Sequence, residues 1–128
     1  MRLRVQLLQL TASVGSLAAL SAMLDPDRIA QALGLFLAGV NGYSQFYATF
    51  VGTRIVVAGL ALLAARRGDQ PIFGDIVALL ILAQPLGRLV AAFAIGLPQG
   101  FLFAVCAVEL LLGLALLLLR PRKSPFAQ

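Results

Sequence analysis

Residues Ile72–Ile95 read IFGDIVALLILAQPLGRLVAAFAI. Two charges interrupt the run: Asp75 in its first turn and Arg88 well inside it. As an α-helix rising about 1.5 Å per residue it reaches about 36 Å. That is enough to cross a hydrocarbon layer about 30 Å thick, for which roughly 20 predominantly apolar residues suffice. Pro85 removes one backbone hydrogen bond and is expected to kink the span beside Arg88, freeing a carbonyl.

Three further stretches have the same character: Val5–Leu24, Gln45–Ala65 and Phe101–Leu119. Ile29–Val40, between the first two, is apolar but too short to span, and is expected to lie in the interface or to re-enter against the bundle. Arg2 and Arg4 before Val5–Leu24 resemble the start of a signal peptide. The long, polar-spotted run and the following Asp25-Pro26-Asp27 instead favour a retained first helix. The expected architecture is therefore all-α: one integral membrane four-helix bundle over residues 1–128, with a short extra interfacial or re-entrant helix after the first span.

Composition agrees. Of the 128 residues, 61% are hydrophobic and 12% charged, and mean hydropathy is +0.98. A soluble chain of this size buries only about two thirds of its surface, so such a composition would leave large apolar patches in water. No histidine is present, which excludes histidine-ligated haem, histidine metal sites and a Ser-His-Asp triad. The single Cys106 can form neither an internal disulfide nor a CxxC pair. No phosphate-binding glycine fingerprint occurs. Neither a nucleophile with its base nor a metal set can be assembled, so no enzyme activity, metal or cofactor is expected.

The net charge of +5 is explained by topology rather than by nucleic acid. If four spans alternate, Arg2, Arg4, Arg66, Arg67, Arg120, Arg122 and Lys123 share one side and Arg28 stands alone on the other. The basic side faces the cytoplasm, so both termini and the Arg66–Gln70 turn are expected there. Gly68 with Pro71, and Gly96 with Pro98, mark short turns that make the last three spans sequential antiparallel neighbours. Gly15 and Ala19 in span one, and Ala48, Gly52 and Gly59 in span two, form small-residue stripes, expected to serve packing within the chain before any dimer contact.

Charges inside spans are the informative residues, because an ionised group in hydrocarbon is costly unless paired or wetted. Counted from the outer end at about 1.5 Å per residue, Arg54 lies roughly 13 Å down span two, Arg88 roughly 11 Å down span three and Glu109 roughly 13 Å down span four. A carboxylate between two guanidinium forks is the natural pairing. Gln84 shares the Arg88 face one turn deeper, and Tyr47 and Phe50 lie on or near the Arg54 face. With Gly52, Gly87 and Cys106, these residues outline an outward-facing polar pocket with one unmatched positive charge. Two explanations stay open: the charges register the helices, or they receive a small anionic or carbonyl-bearing ligand. Cys106 reads best as a small buried apolar residue, and Asp75 as a helix N-terminal charge or a surface partner of Arg66 and Arg67.

The run Phe46-Tyr47-Ala48-Thr49-Phe50-Val51-Gly52-Thr53-Arg54 with Gly59, then Leu86-Gly87-Arg88, the turn near Gly96–Gly100 and Val108-Glu109-Leu110, resembles the bacterial family labelled domain of unknown function 4345. The resemblance covers Gln45–Pro121. It implies a small four-span protein of the bacterial inner membrane, broadly similar in layout to DoxX-like proteins, and singles out Gly52, Arg54, Gly59, Gly87, Arg88 and Glu109. Ile55-Val56 stand where the family pattern has Gly-Gly after the span-two arginine. Three function classes are compatible with this reading. One is binding of an amphiphile such as a quinone or lipid head, and another is an accessory subunit docked to a membrane protein partner or a second copy. The third, proton-coupled transport through Glu109, is the least supported.

The topology predicts that cysteines introduced at Gln70 and Gln99, in a chain with Cys106→Ala, are labelled by an impermeant maleimide from opposite sides of the membrane. Equal labelling from one side contradicts it.

Overall fold

A computed structural model describes residues 2–122, so Lys123 of the basic side lies outside the described residues. The fold is all-α, with no strand among the described residues: α1 (Arg2–Leu24), α2 (Pro26–Ala32), α3 (Gly39–Tyr47), a π-helical turn (Ala48–Gly52), α4 (Thr53–Arg66), α5 (Ile72–Ile95) and α6 (Phe101–Leu118). Since α3, the π turn and α4 form one continuous rod, Gly39–Arg66, four helices are long and apolar enough to cross a membrane. α5 matches the expected span and runs unbroken through Pro85.

Span two begins at Gly39, six residues before Gln45, and this divides the expected Ile29–Val40 segment. Its first residues complete α2, 33–38 form a link, and Gly39 and Val40 open α3. Local chemistry accounts for the division. The Asp25 side chain accepts the Arg28 N–H at the start of α2, where Pro26 occupies the first turn. Gly34 and Gly39, at φ +72° and +63°, bracket the link in a backbone conformation that L side chains rarely adopt. Asn41 and Ser44 fall outside the expected span because they are polar, yet a helix that projects past the apolar layer carries polar residues without penalty. The Tyr43 hydroxyl donates to Asp27 and ties α3 to α2.

The four long helices form a ring in which α1 packs on α4, α4 on α5, α5 on α6, and α6 back on α1. Where α1 meets α4, a Cβ at Gly15 would lie 3.5 Å from the Ala58 Cβ, with Ala19 buried nearby. The span-two stripe expected to pack inside the chain does not: Ala48, Gly52 and Gly59 are exposed, and Ala58, Ala61 and Ala64 are buried instead. Helical periodicity explains the choice, because Ala58 and Ala61 follow Arg54 by four and seven residues. Turning Arg54 inward turns that face inward and the glycine face outward. α5 and α6 approach so closely that a Cβ at Gly113 would sit 2.5 Å from Leu82 Cγ.

The end bearing Arg2, Arg4, Arg66, Arg67, Arg120 and Arg122, hereafter the basic end, holds the main core. Leu8, Ala61, Ala64, Val77, Ala78, Ile81 and Leu116 form a core drawn from all four long helices. Arg4 locks this end. It is 4% exposed and donates from Nε to the Leu116 carbonyl at 3.0 Å, from Nη1 to the Pro71 carbonyl at 3.3 Å and from Nη2 to Asp75 Oδ1 at 2.6 Å. Asp75 Oδ2 also pairs with Arg120 Nε at 2.6 Å. The expected pairing with Arg66 and Arg67 is thus corrected. Asp75 is largely enclosed, and its partners come from α1 and the residues after α6, which reach the same depth.

At the opposite end a smaller cluster of Ala22, Ala30, Phe46 and Val51 joins α1, α2, α3 and the π turn. α5 and α6 take no part in it: from Leu86 to Val108 no residue is buried.

A Cβ at Gly74 would lie 2.8 Å from the Arg4 guanidinium carbon. Gly74→Ala should therefore lower stability in detergent by about 1–3 kcal/mol, the usual range for overpacking. The effect should shrink in an Arg4→Ala background, where the obstructing group is gone. Additive losses in thermal unfolding would show that the two positions do not meet.

Candidate functional site

Three helices bring one charge each to a single point. Arg54 leaves the first turn of α4, Arg88 the second half of α5 and Glu109 the middle of α6. Arg54 Nη2 donates to Glu109 Oε1 at 2.9 Å and Arg88 Nη1 donates to Oε2 at 2.9 Å. The carboxylate is thereby shared between two guanidinium groups, one per oxygen. It is the most enclosed of the three, with side-chain exposure of 10% against 28% for Arg54 and 16% for Arg88.

The π turn immediately precedes Arg54. In its wider turn the Ala48 carbonyl accepts both the backbone N–H of Thr53 and the Thr53 hydroxyl, the latter at 3.0 Å, and such turns recur at functional sites. Phe50 lies under the guanidinium, its centroid 5.8 Å from Arg54 Cζ, and stacks on buried Phe46 at 4.8 Å. The aromatic face holds the arginine over the carboxylate and adds a cation–π attraction.

The expected polar cluster is therefore assembled in its charged part. Arg54, Arg88 and Glu109 meet, and Phe50 joins them. Gln84 is half-buried on the Arg88 face and takes no part in the ion-pair hydrogen bonds. Tyr47 is exposed, stands edge-on to Phe46 and takes no part in the ion-pair hydrogen bonds. Gly52, two residues before Arg54, is on another side of its helix and exposed, so it does not line the site. Gly87 faces open space, with nothing within 4 Å of where a Cβ would be. Cys106, a free and half-buried thiol, precedes Glu109 by three residues on the same side of α6.

Sequence reasoning missed the second set, Arg4–Asp75–Arg120. Its signal was present: Arg4 opens span one, Asp75 lies in the first turn of span three and Arg120 follows span four. The depth count that joined Arg54, Arg88 and Glu109 joins these as well.

Each arginine at Glu109 commits one nitrogen to the carboxylate. No buried side-chain nitrogen or oxygen among the described residues lacks a partner, so the remaining guanidinium nitrogens reach the molecular surface. Their charge is two positive against one negative. Such a centre can accept an anion or a carbonyl oxygen without surrendering the ion pairs that join the helices.

No protein-family model, curated protein or solved structure matches this chain.

Removing Glu109 should harm stability more than removing Arg54, because it leaves two guanidinium groups facing each other. Breaking a buried pair costs up to about 3–5 kcal/mol, and the exposure of Arg54 places its loss below that range. Arg54→Leu should therefore be milder than Glu109→Leu, and Arg54→Leu combined with Glu109→Gln should cost less than the sum of the two single changes. Strict additivity in thermal unfolding would contradict direct pairing.

Proposed function

We propose that this chain is a small membrane protein that binds the anionic or carbonyl-bearing head of an amphiphile, such as a quinone or a lipid, at Arg54, Arg88 and Glu109. The observation that carries this reading is the combination of spare donors with an open approach. Both arginines retain surface-reaching nitrogens after satisfying Glu109. Above them, no residue from Leu86 to Val108 of the α5–α6 hairpin is fully buried. A head group can approach from that side while its tail stays among the apolar helix faces. Phe50 supplies a flat apolar wall beside the arginine, a surface suited to a ring or an acyl chain.

The bacterial inner membrane, with both termini in the cytoplasm, is the location this reading assigns. It rests on the basic residues gathered at one end and on the motif resemblance to the domain of unknown function 4345 family, of which the chain is proposed to be a member. A second reading, an accessory subunit docked on a membrane partner or on another copy, is favoured by the outward-facing Ala48, Gly52 and Gly59. Small residues on an outer helix face allow close backbone approach between spans.

Binding predicts that the purified protein gains thermal stability with quinones, anionic lipids or small carboxylates. A ligand at 100 times its Kd adds about 2.7 kcal/mol. Arg88→Gln should abolish the gain while remaining folded. Glu109→Gln, which increases the positive surplus, should strengthen the response to anions. A melting temperature unmoved by the whole panel would reject the binding reading and leave the accessory-subunit reading ahead.

A further inference from the structure

The basic end holds a second carboxylate between two arginines, and beside it opens a cleft of about 550 Å³ unrelated to the Glu109 site. Pro71 at the start of α5, Leu117 and Leu118 at the end of α6, and Pro121 form its apolar walls. Its charged groups are Arg120 and Arg122.

The two arginines that meet Asp75 are used differently. Arg4 is consumed: all three of its nitrogens donate within the protein and it is 4% exposed. Its charge and that of Asp75 cancel. Arg120 gives only Nε to Asp75, and its side chain stays 53% exposed. Asp75 therefore fixes the direction of the Arg120 fork, whose terminal nitrogens make no ion pair among the described residues. Arg122, exposed, makes no ion pair among the described residues. Among the described residues, two positive charges without a carboxylate of their own thus line a cleft whose other walls are apolar.

The geometry points to a binding site for an anionic phospholipid, with its phosphate diester on Arg120 and Arg122. One acyl chain would run along α6 over Leu118, Leu114 and Leu111. These leucines are 84%, 43% and 67% exposed. They recur at intervals of four and three residues, so they form one ridge along the helix. The ridge starts at the cleft and leads away from the charges, as a lipid anchored by its head requires. Planar guanidinium forks match phosphate oxygens in pairs, and basic pockets between spans near a membrane surface suit anionic head groups. A choline head would bring a third positive charge to the same place.

Topology alone makes a different demand. Orientation depends on how many Lys and Arg flank the spans, whatever their placement. Arg66, exposed at the end of α4 and outside the cleft, contributes equally to that count and serves as the control.

The test is native mass spectrometry of the full chain released from detergent containing equal dioleoyl phosphatidylglycerol and dioleoyl phosphatidylcholine. One phosphatidylglycerol should be retained in preference to phosphatidylcholine. Arg122→Gln should lower that retention about fivefold, the effect of one arginine near an anionic lipid surface. It removes no internal ion pair, so an unchanged melting temperature verifies its fold. Arg66→Gln should leave retention intact. Equal retention of the two lipids, or equal loss in the Arg66 and Arg122 variants, overturns the proposal. Displacement of the lipid by millimolar inorganic phosphate would assign the arginines to a free anion and overturn the lipid assignment. Loss of retention in Arg88→Gln but not in Arg122→Gln would place the lipid at the Glu109 site and overturn it equally.

Discussion

Glu109 divides its two oxygens between Arg54 and Arg88, and through that division three helices share one register. In a bilayer, apolar helix faces gain little by leaving lipid for one another, so packing and polar contacts decide which faces meet. The Arg54–Glu109 pair joins α4 to α6, which stand diagonally across the ring and are not packing neighbours. Arg88 then fastens α5, lying between them, to the same carboxylate. Once Arg54 must look inward, Ala58 and Ala61 look inward with it and become the surface on which α1 packs.

The same device recurs at the basic end with the other diagonal. Asp75 joins α5 to α1 through Arg4, and its second oxygen holds Arg120, just past the end of α6. Each set has one carboxylate, one arginine reaching across the ring and one from the α5–α6 side. Around them the packing differs. The basic end is filled by a core from four helices, and Gly74 and Gly113 are required there because side chains occupy the space a Cβ would need. The Glu109 set lies where the α5–α6 hairpin stops burying residues. Its arginines therefore remain partly exposed, whereas Arg4 is sealed. Similar chemistry thus yields a sealed clamp with one exposed arm, Arg120, at one end and two partly exposed arginines at the other.

Much of this was legible from residue order. Apolar run length identified the four spans, with α5 matched end to end, because lipid leaves a spanning segment little alternative to a helix. Depth counting brought Arg54, Arg88 and Glu109 together, since a charge inside a span needs a partner at its own level. Residues outside the apolar layer were less legible. Asn41 and Ser44 are polar whether in a loop or in a helix that projects from the membrane, and only the glycines at 34 and 39 mark where α2 ends and α3 begins. The π turn over Ala48–Gly52 has no periodic signature, because a single wide turn is too short to shift the pattern of apolar residues.

The sequence by itself determined the fold class, the number of spans and the depth of each internal charge, because all three depend on run length and helical rise. Only the tertiary structure decided which face of each helix turns inward. Arg4 could as well have been one more solvated basic residue at a span end, and becomes a buried clamp because Asp75, the Pro71 carbonyl and the Leu116 carbonyl converge on it from two other helices. Gln84, Gly52 and Gly87 illustrate the converse. Spacing along one helix places residues near a charged neighbour, but whether they reach a common site depends on the rotation and tilt of that helix against the others. Those are set by contacts between residues far apart in the chain.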